Sequence, residues 1–248
     1  MPKLIQLLVA AALLLAPTAR AHAARGFVIT EEDKGPGGPE KKITYVTESA
    51  LRIEEGDKIS LLTLSGTTLK LYEISPKERV VKDNSPMAPL LLMGYMFFLE
   101  KDDHGGARVN KKFFTPTDEK RMFGSWKARK LLVTVMGMQS EVWYTKDSKD
   151  LLDADRMRMR FFARANEVFM MPHMQTAEQK AAIRKLGKLV NEFTERAIKD
   201  YGSQVLSEVR MGGTSATTQV VAVARADHPD ALFALPAGYK VEGPDGAR

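Results

Sequence analysis

Cysteine is missing from all 248 residues. Without it the chain has no thiol to acylate behind an amino-terminal leader, no disulfide framework to staple a small scaffold, and no thiol chemistry. Asn-x-Ser/Thr acceptors are missing too, since Asn84 is followed by Ser85 and Pro86 and the other asparagines also fail the pattern. That points to a bacterial envelope rather than a eukaryotic secretory route. No Gly-x-Ser-x-Gly elbow, His-Glu-x-x-His pair or Walker loop occurs, so an enzyme would have to be argued from scattered residues. Basic and acidic residues are mixed with no Lys/Arg-rich block, and no helix-turn-helix, zinc-finger or RNA-binding signature appears; nucleic acid is therefore not an expected partner.

What is present begins with a leader. Lys3, the apolar run at 4–16 and Ala21-His22-Ala23 read as a cleavable export signal over residues 1–23, too short for the roughly 20 apolar residues of a membrane span. The expected mature chain, 24–248, is one periplasmic domain. Losing Lys3 and Arg20, with no acid lost, lowers the formal net charge from +6 to +4.

Short β-rich runs at 27–30, 43–47, 51–54, 59–64, 68–74 and 79–82, separated by Gly, Pro, Asp and Ser corners, predict an antiparallel meander. The unbroken apolar run at 87–99 predicts a short buried helix. Further strands are expected near 112–114, 130–136 and 140–145. From 150 to 202 the period turns helical, with a Pro172 break. Thr176-Ala177-Glu178-Gln179 forms a capping box, Ile183, Leu186, Val190, Phe193, Ala197 and Tyr201 form an apolar stripe, and Gly202 is a stop. Glu192 with Arg196 and Glu195 with Lys199 are i,i+4 pairs on the polar face. A hairpin of 204–211 and 217–224 follows, then a terminal turn at 227–230. Helices inserted late in an antiparallel sheet make the class α+β.

Three stretches carry a resemblance: 25–54, including Leu51-Arg52-Ile53-Glu54; Glu141-Val142-Trp143-Tyr144-Thr145-Lys146-Asp147; and Leu232-Phe233-Ala234-Leu235-Pro236-Ala237-Gly238-Tyr239-Lys240 after Asp230. They resemble a family of exported bacterial proteins of unknown function that is itself similar to the periplasmic lipoprotein-localisation (Lol-type) carriers. The resemblance implies a strongly curved antiparallel sheet, a half-barrel whose concave face is covered by helices and can hold an acyl chain. It implies no catalytic residues and no cofactor.

The side chains expected to touch an apolar ligand are Met93, Met96 and Phe97 in the first helical segment, Trp143, and Met157 and Phe161 in the second, because methionine and aromatic rings adapt to variable apolar surfaces. Core packing explains them equally well. Arg156, Arg160 and Arg164 recur every four residues and form one basic stripe, suited to an anionic headgroup or an envelope partner, or simply to solvent. Asp102, Asp103 and His104 form the best acidic cluster, in a turn before Gly105-Gly106, while His173 and His228 read as surface or capping residues. These observations favour a non-catalytic periplasmic carrier or chaperone of a lipid-like ligand. An envelope protein-interaction module is the alternative, and a hydrolase with an acidic site ranks last.

Overall fold

The computed structural model describes residues 23–35, 37–87, 99–101, 107–135, 138–211 and 214–243. The expected leader up to residue 22, most of the helix expected at 87–99, and Met93, Met96, Phe97, Asp102, Asp103 and His104 lie outside the described residues.

The amino-terminal runs form β1 (Ala23–Gly35), β2 (Gly38–Val46), β3 (Ala50–Glu55), β4 (Lys58–Ser65), β5 (Thr68–Ser75) and β6 (Val80–Asp83). After the short β7 (Leu99–Lys101) and β8 (Ala107–Val109) come β9 (Phe114–Phe123), β10 (Trp126–Val135) and β11 (Met138–Thr145). The helices α1 (Lys149–Met170) and α2 (Ala177–Asp200) precede β12 (Ser203–Met211), β13 (Thr214–Pro229) and β14 (Lys240–Glu242). Among the described residues twelve strands make one open sheet in the order β14-β6-β5-β4-β3-β2-β1-β13-β12-β11-β10-β9, and β7 pairs with β8. Two antiparallel meanders thus meet where β1 lies against β13, in a register running from Ala23 opposite Pro229 to Lys34 opposite Thr217. β14 alone joins in parallel, beside β6.

The sheet curls because strands twist and because register shifts at Thr30/Glu31, Arg129/Leu131 and Trp143/Tyr144 sharpen the bend. Helix α1 lies against its inner face, touching β1, β2, β3, β5, β12 and β13. Alternation supplies that face: Phe27 and Ile29, Val46, Leu51, Leu62 and Leu64, and Leu69 and Leu71 from one meander, with Phe123, Ala128, Trp143, Leu206 and Val220 from the other. Leu151, Ala154, Phe161 and Ala165 answer from α1 at helical spacing. The opposite face is covered locally: Leu61, Ile74 and Val81 are sealed by Phe233 and Tyr239 of the carboxyl-terminal segment.

Several expectations change. The segment at 112–114 is a 3-10 turn over Lys111–Phe113, and the strand begins at Phe114 and runs ten residues. β9 was missed because Thr115-Pro116-Thr117-Asp118-Glu119-Lys120-Arg121 shows no apolar alternation; it is an edge strand whose charges and proline protect an open ladder. The strand placed at 217–224 extends through His228 to Pro229, held by its pairing with β1 rather than by its own pattern. His228 is consequently 3% exposed, a core residue rather than a surface cap. Glu195 bonds Arg156 of α1 at 3.0 Å instead of serving its own helix.

Candidate functional site

Trp143, Met157 and Phe161 converge beneath α1. Phe161 is fully buried at the centre, Trp143 meets Phe123 edge-on at 5.6 Å, and Met157 packs partly buried against the same cluster. The cover is incomplete at the margins: Ile53, Trp126, Phe162, Val168, Phe169 and Val223 pack on this core yet remain partly accessible. Phe161 fills the middle, so the accessible apolar surface of this cluster lies along the rim of α1.

The arginine stripe divides. Arg156 is held between Asp153 and Glu195, both at 3.0 Å, which pins α1 to α2. Glu195 raises the guanidinium pKa most, outweighing the opposing effect of burial. Arg160 and Arg164 are exposed and have no ion-pair partner among the described residues. They border a depression of about 290 Å³ between the helices, which shares Arg164, Glu167 and Arg184 with a second hollow of about 570 Å³ reaching the β4–β5 turn.

A third cavity, about 440 Å³, lies over β9–β11 and the end of α2, lined by Lys120, Lys127, Arg129, Lys146, Tyr144 and Tyr201 among others. Its chemistry is partly spent. Lys146 donates to the Lys199 carbonyl and Asp147 accepts from the Lys127 backbone N–H at 3.1 Å, while burial pushes the Tyr144 phenol well above its ordinary range.

Two ionisable groups are buried where no local pattern marks burial: Glu31, and His228, which was expected at the surface. Glu31, 7% exposed, pairs with Lys42 at 2.9 Å on the neighbouring strand. Burial draws the Lys42 ammonium down, but Glu31 and the surrounding acids leave its pKa raised. His228 lies among Tyr45 and Phe233 edges, with Nε2 unpartnered among the described residues; burial lowers its pKa, against an opposing hydrogen bond to the Phe27 backbone. Among the described residues no three His, Asp or Glu side chains converge to hold a metal. His173 is exposed, at the turn between the helices.

No family model matches the chain. An uncharacterised protein of Aquifex aeolicus is 26% identical over 223 residues, 86% of this chain and 80% of that protein. Solved structures similar in outline include the MucA/MucB complex of Pseudomonas aeruginosa, with 12% identity, TM-score 0.36, and coverage of 94% of this chain and 63% of the other. A DUF1329 family protein of Desulfovibrio piger matches with 10% identity and TM-score 0.32, over 91% and 94% of the two chains. A Vibrio parahaemolyticus domain described as an outer membrane lipoprotein-sorting protein matches with 8% identity and TM-score 0.24, over 82% and 85%. The chain spans 31% of the PNGF-II structure it matches and 63% of the matched chain of the MucA/MucB complex.

Proposed function

We propose that the chain is a non-catalytic carrier or chaperone of the bacterial envelope that shields an apolar ligand, such as an acyl chain, between the curled sheet and its helices. The observation that carries this reading is the incomplete cover of the inner face. Among the described residues one helix spans a face drawn from ten strands, and large apolar side chains from Ile53 to Val223 are left half-covered along its edges. Such an edge gains about 25 cal/mol for each Å² of apolar surface that a ligand removes from water. The leader at 1–23 agrees with this address, and no helix among the described residues is long and apolar enough to cross a membrane.

Native mass spectrometry of the full chain purified from envelope fractions tests the reading. A co-purified acyl species is expected, displaced by a fluorescent fatty acid and diminished by Phe162→Asp at the rim. Protein that arrives empty and quenches no fluorescent fatty acid would overturn it.

A second reading is favoured by the exposure of Arg160 and Arg164: an interaction module that grips an envelope partner through the helical pair. It requires that Arg160→Glu with Arg164→Glu abolish a crosslinked protein partner while ligand content stays unchanged. A partner retained by that variant would exclude it.

A further inference from the structure

The basic stripe of α1 has a counterpart that only the packing reveals. Lys180, Arg184 and Lys188 recur every four residues on α2 and line the same hollows as Arg160 and Arg164. Against these five cations stands one lining carboxylate, Glu167, which reaches Arg184 only at 3.9 Å. Arg160, Arg164, Lys180 and Lys188 have no ion-pair partner among the described residues. Holding like charges in facing rows raises the potential along the groove and favours an anion there.

The floor of the groove is a second observation. Gly187 sits in the interior of α2, where glycine is markedly less favourable than alanine. Helix packing does not demand it. A Cβ built there would meet nothing nearer than Glu167 Oε2 at 3.8 Å and the Ala163 carbonyl at 4.0 Å, ordinary contacts. The missing side chain leaves open the depression between the two cationic rows.

The third observation is continuity with the apolar rim. Past Arg164 and Arg184 the lining becomes Val168, Met171 and Pro172, and Val168 also packs on the main core beneath α1. A ligand with a charged head and an apolar tail matches that sequence of surfaces. An acidic peptide would use the cations and leave the Val168 end unexplained.

We infer that the groove between α1 and α2 binds the phosphate-bearing headgroup of an anionic amphiphile, with its apolar part leaving past Val168, Met171 and Pro172 toward the rim of α1. The inference rests on the carrier reading and names its ligand class. Arg164 and Arg184 face the headgroup from the two helices, and guanidinium forks suit phosphate oxygens.

The test is calorimetric titration of the full chain with dihexanoyl-phosphatidylglycerol below its micelle concentration. Saturable binding that weakens with salt is expected. Arg164→Gln with Arg184→Gln should reduce affinity by about tenfold or more, because both charge-assisted forks to the phosphate oxygens are lost. Gly187→Leu should block the floor and abolish binding without lowering the melting temperature. Lys111→Gln with Lys112→Gln removes the same charge from an exposed turn elsewhere and should leave binding intact.

Equal affinity in wild type and the double arginine variant would overturn the proposal. So would inorganic phosphate binding as tightly as the lipid, which would mark a free-phosphate site, or an oligoglutamate peptide outcompeting the lipid, which would mark a peptide site. Neutral monocaproin separates the two levels. If it binds wild type and variants alike while the charged lipid shows no preference for the groove, the carrier reading stands and this inference falls. If no amphiphile of either charge binds, both fall.

Discussion

Phe161 shows how a residue nominated for binding also holds the fold together. It is fully buried at the meeting of α1 with both meanders, so Phe161→Ala should cost about 3–5 kcal/mol in urea denaturation, the transfer and cavity terms combined. Gly26 is fixed by close approach: a Cβ there would lie 2.2 Å from the Val46 carbonyl oxygen and 2.8 Å from the His228 ring. Gly26→Ala must therefore part β1 from β2. His228, lying over that glycine, gives a pH signature. Burial lowers its pKa below the ordinary 6.5, so in the window between the two values the unfolded chain binds more protons than the folded one. This contribution is intact above about pH 6.5 and is lost as pH falls through that value toward the lowered one. Urea midpoints measured from about pH 8 to about pH 5 should drop at the acid end, and His228→Phe should flatten that drop. An unchanged slope in the variant would assign it to other groups. None of this was legible in advance, because the histidine's neighbours come from β1, β2 and the terminal segment.

Among the elements, α2 was the most legible. The capping box has both halves: Gln179 N–H donates to Thr176 Oγ at 3.2 Å, and Thr176 N–H donates to Gln179 Oε1 at 3.1 Å. Thr176→Ala should cost about 1 kcal/mol and speed amide exchange in the first turn of α2; unchanged exchange there would show that packing, not the cap, holds the end. Gly202 ends the excursion at φ +96°, where its missing Cβ avoids a 2.1 Å clash with the Thr145 carbonyl oxygen. These signals are local, so they survive in the linear chain. β9 is the counterexample, polar along most of its length and recognisable only beside β10. The two basic rows lie between these cases. The α1 stripe is visible as a spacing, but its facing row on α2 gains meaning only when the helices fold back on each other, and only then does Arg156 become tied to Glu195.

The whole molecule depends on α1 bridging the meanders. The main cluster draws residues from β1 to β5 and from β9 to β13, with α1 between them, and no separate core large enough for either meander alone is seen among the described residues. Unfolding should therefore be one cooperative transition. Fluorescence of Trp126 and Trp143, which reports the carboxyl-terminal meander, should coincide in urea with far-UV circular dichroism, which reports the whole chain. Two separated transitions would mean that the meanders fold independently.

The linear chain by itself determined the strand-rich halves, the two helices with the capping box of the second, the α+β class and the absence of thiol chemistry, because turn residues, caps and periodicity act within a few positions of one another. Tertiary structure alone decided that β13 closes on β1, that His228 is buried, and that Phe161 fills the centre while the rim stays half-covered. It also decided that cations from two helices share one groove. Those outcomes depend on contacts between residues far apart in the chain, and no local pattern specifies which distant surface a strand or helix will meet.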